Sequence, residues 1–407
     1  MLFAVLPVPA LADGLPGNGG ARLLSPVPAA AEAADWTPVG PTDIDDAFLD
    51  TNWSVTTTGS FINENGEDHY QAVVAPSVSI IRPGIRSTLG LTGSAQFTKN
   101  DGGSVSVEQL NLRGTSTYDV DEGGTLTSNL GFSMSQENPD DPDVASNVAA
   151  TPVELSGTAD STFKQQFGRL DLSLKGNVGR AVYGPTTLVG GTSVDNSSDN
   201  TTQFGTGLRL GYALTPVVEV FGDAELERTV FDAASPSVGA SLNGTQYSLM
   251  GGLAGNWGPD LTASVSAGVG INHFDDASLA DIRAALYAAN IAYKPTEALT
   301  LTGNLTSVIG APGPDGSGTA QISYQATAGS TYVVNDWLDW RASVNWHNTT
   351  YAATTVTDDG YGFGVGADYI INRQTKLSAD YSYGRDTISP GAPEDTQTIS
   401  LGLTVQK

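Results

Sequence analysis

Thr398-Ile399-Ser400-Leu401-Gly402-Leu403-Thr404-Val405-Gln406 is the stretch on which the fold turns, because apolar residues at 399, 401, 403 and 405 alternate with polar or side-chain-free ones. Successive side chains of an extended chain point to opposite faces, so this segment is a strand with one apolar and one polar face. Tyr361, Phe363, Val365, Ala367 and Tyr369 alternate in the same way with Gly362, Gly364, Gly366 and Asp368. So do Leu261, Ala263, Val265, Ala267, Val269 and Ile271 with Thr262, Ser264, Ser266, Gly268, Gly270 and Asn272. A sandwich strand would look alike locally, so the number of such segments and their connections must decide.

Eighteen segments follow, near residues 51–62, 68–81, 85–98, 104–119, 124–137, 152–166, 169–183, 200–214, 217–231, 245–257, 260–274, 282–294, 298–310, 318–333, 338–351, 359–371, 375–386 and 396–406. Most exceed the roughly 5–6 residues usual in globular sheets and are long enough for a tilted bilayer crossing. Their connections alternate in kind. Arg82-Pro83-Gly84, Asp121-Glu122-Gly123-Gly124, Phe167-Gly168, Thr215-Pro216, Gly258-Pro259-Asp260, Lys294-Pro295-Thr296-Glu297, Asn335-Asp336 and Asn372-Arg373-Gln374 are tight. Asn138 to Thr151, Gly184 to Asp199, Asp232 to Asn243, Ala311 to Ser317, Ala352 to Asp358 and Thr387 to Asp395 are longer and polar. Short periplasmic turns alternating with long extracellular loops predict an all-β fold, a closed antiparallel transmembrane β-barrel of about 18 strands in a bacterial outer membrane. An even strand number places both termini in the periplasm.

Composition agrees. The chain has 407 residues, only 39% of them hydrophobic and 15% charged, as suits an apolar outside and a polar inside. It contains no run of 18 apolar residues for a transmembrane helix, and a closed barrel is the other structure that satisfies every backbone group in lipid. The absence of cysteine fits an oxidising compartment. A formal charge of −26 argues against nucleic acid as a partner. Met1 to Ala12 is short and apolar and ends Ala10-Leu11-Ala12, the form of a signal-peptide cleavage site, although it lacks a basic start. Residues 13–48, rich in Pro, Ala and Gly, read as a flexible periplasmic segment. The barrel is expected over 49–407.

Aromatic residues supply an independent check. Trp53, Tyr212, Trp257, Tyr293, Trp340 and Tyr369 fall near the turn ends of their strands. Phe61, Tyr70, Phe97, Phe204, Tyr247, Tyr287, Trp346, Tyr361 and Phe363 fall near the loop ends. Two girdles at the membrane interfaces are expected on the apolar phase, facing lipid and lipopolysaccharide.

The inward phase is mostly Ser, Thr, Gly, Asn and Gln, with charges at Arg86, Arg113, Lys175, Arg209, Arg341, Lys376 and Asp380. Glu219, Asp223, Glu225 and Glu227 share the inward face of the ninth strand with Phe221. Such a ladder biases permeation toward cations. Alternatively, Arg209 and basic neighbours pair with the acids and merely keep the wall hydrated. Asp140, Asp141 and Asp143 form a weak candidate loop for a divalent cation, more simply read as a solvated acidic loop. The three histidines, His69, His273 and His347, are scattered in sequence and suggest no metal cluster. Ser343, Asn345 and His347 share one phase of the fifteenth strand, the residue types of outer-membrane phospholipases. They face the lumen, so no enzymatic role and no cofactor are expected.

Four recurring units carry a family resemblance: Tyr212-Ala-Leu-Thr-Pro-Val-Val-Glu-Val, Tyr293-Lys-Pro-Thr-Glu-Ala-Leu-Thr-Leu, Tyr332-Val-Val-Asn-Asp-Trp-Leu-Asp-Trp and Tyr369-Ile-Ile-Asn-Arg-Gln-Thr-Lys-Leu. In them, and from about Asp50 to the end, the chain resembles the large proteobacterial family of outer-membrane β-barrel porins. The resemblance implies a terminal aromatic residue, whereas this chain ends Val405-Gln406-Lys407. It implies a porin-like channel for passive diffusion of small hydrophilic solutes or ions, compatible with a homo-oligomer. The alternatives are an outer-membrane component of exopolysaccharide export and a structural, surface-interaction barrel without transport. Neighbouring genes and loop deletions respectively would distinguish them.

Overall fold

The computed structural model describes residues 49–407 except 102, 104, 138, 140–146 and 313–317. The expectations for residues 1–48 and for Asp140, Asp141 and Asp143 lie outside the described residues. Eighteen strands form one sheet. They are β1 (Asp50–Glu64), β2 (Glu67–Pro83), β3 (Ser87–Asn100), β4 (Val105–Asp121), β5 (Gly124–Gln136) and β6 (Val153–Phe167). Then come β7 (Leu170–Tyr183), β8 (Thr201–Ala213), β9 (Val218–Phe231), β10 (Gly244–Asn256), β11 (Leu261–Phe274) and β12 (Ile282–Thr296). The last are β13 (Leu299–Gly310), β14 (Gln321–Asn335), β15 (Leu338–Tyr351), β16 (Thr357–Asn372), β17 (Thr375–Ser389) and β18 (Glu394–Gln406).

Each strand pairs antiparallel with its chain neighbours, and β1 pairs with β18 from Ser54↔Gln406 to Glu64↔Thr396. That last ladder closes the sheet into a ring, although between β12 and β13 the pairing runs only from Ala289↔Leu305 to Thr296↔Leu299. With an even strand number, the start of β1 and the end of β18 lie together at the turn end.

The alternation predicted from the sequence governs the two faces. Ile399, Leu401, Leu403 and Val405 are exposed on the outer face, whereas Thr398, Ser400 and Thr404 are buried on the inner one. The turn-end connections repeat because their sequences do. In Val333-Val-Asn335 and Ile370-Ile-Asn372 the ladder slips at a bulge. The asparagine Oδ1 then accepts the amide of Trp337 at 3.0 Å or of Gln374 at 2.8 Å, an Asx turn.

Loop-end connections are less uniform than expected. β1 and β2 join through Asn65-Gly66 alone, with φ of 51° and 90°, the positive angles of a tight hairpin that Asn-Gly tolerates. The expected loop from Thr387 to Asp395 shrinks to four residues, because β17 runs on to Ser389 and β18 begins at Glu394. The expected Ala352 to Asp358 loop likewise stops at residue 356. The loops after β5 and β7 build a small three-stranded sheet from Val148–Ala150, Thr186–Leu188 and Ser193–Val194.

Candidate functional site: the inner wall

Two strands carry inward faces that are nearly bare. On β8 these positions are Gly205, Gly207, Arg209 and Gly211, and on β16 they are Gly360, Gly362, Gly364 and Gly366. A glycine row lets side chains on the two flanking strands meet across it. β8 and β16 stand eight strands apart in a ring of eighteen, so the two rows lie on roughly opposite walls.

Around β8, Lys175 of β7 and Glu225 of β9 flank Gly207, and Asn177 and Glu227 flank Gly205. Arg209 lies opposite Asp223 in the ladder. Its guanidinium sits 3.6 Å from the centroid of the Phe221 ring and donates to Glu219 Oε1 at 2.9 Å. The Glu219 carboxylate fills the space a side chain at Gly211 would need. The four acids thus share one face of β9, with Arg209 and Lys175 on the adjacent strands. Arg209 binds Glu219 rather than the ladder as a whole.

Around β16 the arrangement is tighter. Arg341 of β15 donates to Asp368 at 3.1 Å and to Asp380 of β17 at 2.7 Å, and Lys376 Nζ stands 3.5 Å from Asp368. Arg341 and Asp380 meet directly over Gly366, where a Cβ would collide with the pair. These expected wall residues therefore form one cluster at the turn end. At the loop end of the same trough His347, Asp358 and Asp386 converge. Sequence reasoning missed this group, because the histidine's partners are aspartates on two other strands. His347 turns its Nε2 to Asp358.

Two expected positions lie apart from these clusters. Arg113 is exposed on the inner face of β4, opposite Thr92 and Gly131. Arg86 instead lies in the turn before β3. It donates from Nε to the Asp119 carbonyl at 3.1 Å and from Nη2 to the Val120 carbonyl, and it packs 5.6 Å from the ring of Tyr118. Tyr118 is an exposed outward residue, so Arg86 ties the rim and does not line the wall. Its position beside Pro83-Gly84, outside any strand, is what removes it from the inward phase.

The inner face is also not polar throughout. At the loop end Phe274, Leu286, Ile309 and Ala320 are buried together, and Leu242 from the loop between β9 and β10 packs into them. Beside this cluster a shallow opening is lined by Glu227, Gln246, Asn272, Leu242 and Phe274, among others. Val238 of the same loop, Leu279 of the next loop and Ala352 also pack against this cluster.

On the outer face Trp53, Tyr212, Trp257, Tyr293, Trp340, Trp346 and Tyr369 are all exposed. Trp337, a turn residue outside the expected set, stands beside them at the turn end, its ring 5.6 Å from that of Tyr369. At the loop end a clamp occurs twice. Arg180 holds Asp232 through both nitrogens, at 2.7 and 2.5 Å, and also donates to Thr202. Arg228 holds Asp275 at 2.7 and 2.5 Å and donates to Thr245. Hydrogen bonding from these arginines holds the Asp232 and Asp275 carboxyls below the ordinary carboxylate range.

The family described as "Putative beta-barrel porin 2" matches residues 49–407. No curated protein sequence matches significantly. Among solved structures, the Pseudomonas aeruginosa outer-membrane protein OpdK (OccK1) is 12% identical with a TM-score of 0.44, covering 88% of this chain and 99% of that one. The siderophore receptor PirA of the same organism is 12% identical with a TM-score of 0.45, covering 90% of this chain and 81% of that one.

Proposed function

Since this chain belongs to the "Putative beta-barrel porin 2" family of outer-membrane barrels over residues 49–407, we propose that it is a channel for passive diffusion of small hydrophilic solutes or ions, with a preference for cations. Family membership implies a channel and not an enzyme. In this reading the turn end and both chain ends face the periplasm, and the loops face outward. The two aromatic girdles then lie at the headgroup levels of lipid and lipopolysaccharide.

The observation that carries the proposal is the inner wall of β7–β9. Glu219, Asp223, Glu225 and Glu227 share it, while Arg209 and Lys175 are its basic residues on β8 and β7. An acidic excess on a hydrated wall raises the local cation concentration.

Planar-bilayer recording of the purified folded barrel under a salt gradient tests this. The expected result is stepwise conductance with a reversal potential of cation sign. Glu225→Gln with Glu227→Gln should move that potential toward zero without closing the pore. Folded protein that does not conduct, or that prefers anions, would overturn the reading.

A further inference from the structure

The loop-end group on β15, β16 and β17 has the geometry of an inorganic site. His347 and Asp386 are both register partners of Gly360. They flank a residue without a side chain and reach toward each other across it. Asp358, two residues before Gly360 on the same face of β16, completes a triangle.

His347 Nε2 lies 3.2 Å from Asp358 Oδ1 and 3.5 Å from Asp386 Oδ1. The ligand atoms of all three lie within 4.8 Å of one another, and the side chains are only 11%, 13% and 17% exposed. A tetrahedral ion with bonds of about 2.0–2.2 Å to nitrogen and oxygen separates its donors by roughly 3.3–3.5 Å. The separations from His347, 3.2 and 3.5 Å, lie at that spacing to within about 0.1 Å.

We propose that His347, Asp358 and Asp386 bind one first-row divalent transition-metal cation of the zinc class on the inner wall, near the loop end of the barrel. The donor set supports this class. One imidazole with two carboxylates suits zinc and its first-row neighbours, whereas calcium and magnesium take oxygen donors throughout. Two carboxylates held this close repel each other unless a cation lies between them. The Thr387 amide donates to Asp386 Oδ1 at 2.9 Å, the kind of outer contact that orients a ligand. Three protein donors leave a fourth position for water or for a passing solute. The bound ion would also cross-link three consecutive strands. The competing occupant of the centre is a proton on His347, and the inference stands or falls independently of channel activity.

The test uses the full chain folded in detergent, stripped with chelator and dialysed against Zn²⁺. Elemental analysis should find one tightly held zinc per chain. His347→Gln, Asp358→Asn and Asp386→Asn should each weaken retention at least tenfold, while strand-rich circular dichroism and the heat-modifiable gel shift show a folded barrel. Zinc-edge X-ray absorption on the loaded wild type needs no variant and should show one imidazole with oxygen neighbours. An all-oxygen shell, no stoichiometric zinc, or equal retention by the folded triple variant would each overturn the proposal. Weak binding elsewhere, including at the exposed pair of His273 with Asp281, would persist unchanged in the folded triple variant and is subtracted by it.

Discussion

Arg341 shows how much depends on where a charge sits. Its side chain is 11% exposed, and its partners Asp368 and Asp380 are 8% and 16% exposed. Removing the cation strands two poorly hydrated carboxylates beside Lys376 alone. Arg341→Met should therefore destabilise the folded barrel by about 3–5 kcal/mol, the cost of leaving a buried charge uncompensated. Arg180→Met, whose clamp with Asp232 is 39% and 42% exposed, should change stability by no more than about 1 kcal/mol. Denaturant unfolding in lipid vesicles compares the two, and equal losses would contradict the ranking. Part of this was readable from residue types. Arg341, Lys376 and Asp380 are recognisable as inward charges from alternation alone, but their convergence depends on register. The pairing of His347 with Asp386 was not readable, because 39 positions separate them in the chain and only the ladder brings both beside Gly360.

At the scale of the strand, alternation was legible wherever a strand crosses the apolar layer and faded beyond it. The predicted segment 375–386 continues to Ser389, since strand that overhangs the membrane needs no apolar phase. At the loop end of β12 apolar residues fall on both phases, Ile282, Ala284 and Leu286 inward and Ala285 and Tyr287 outward with Arg283, so periodicity obscures the inward patch. The doubled clamp, by contrast, had a signal that went unused. Arg180-Ala-Val-Tyr183 and Arg228-Thr-Val-Phe231 recur, as do Asn200-Thr-Thr-Gln-Phe204 and Asn243-Gly-Thr-Gln-Tyr247, and Phe231-Asp232 with Phe274-Asp275. A carboxyl whose folded pKa lies below its unfolded value stabilises the fold above the unfolded range, and that contribution is lost as pH falls through the folded value. Asp232 and Asp275 are of this kind, so the clamps should be intact at neutral pH and fail only in acid below the usual carboxylate range. Amide exchange over 232–243 and 275–281, corrected for intrinsic rates, should accelerate there, and unchanged protection would count against the clamps. The outer phase makes a separate prediction. Trp53 and Phe61 mark the two girdles on β1, and Leu403 of β18 faces Thr57 midway between them. Leu403→Arg should cost about 2–4 kcal/mol of unfolding free energy in lipid, as for a cation at mid-bilayer on a barrel exterior. A near-neutral result would mean that this phase does not face lipid.

For the whole molecule, the even strand count and the alternation of turns with loops made a closed ring legible, because an open sheet would leave two unpaired edges in a medium without water. What the chain could not reveal is the closing register. Strands β1 and β18 are the most distant in sequence, and no connecting turn fixes how they align. The structure sets it: Gly59 lies opposite Leu401, and Phe61 opposite Ile399. The chain has no cysteine, so a pair of introduced thiols reports this ladder without background. In a Gly59→Cys, Leu401→Cys double variant both sulfurs are on the outer face of adjacent strands, and directly opposed residues have Cβ atoms about 4.5–5.5 Å apart. Oxidation, or a short thiol crosslinker, should join them quickly in the folded barrel. The product would be a covalently circular chain whose denatured form migrates differently on a gel. Gly59→Cys paired with a cysteine at Ala379, the outward position of the neighbouring β17 level with Leu401, should crosslink far more slowly, since β18 lies between. If the first pair fails to react in folded protein, or both pairs react alike, then the sheet is not shut by β1 against β18.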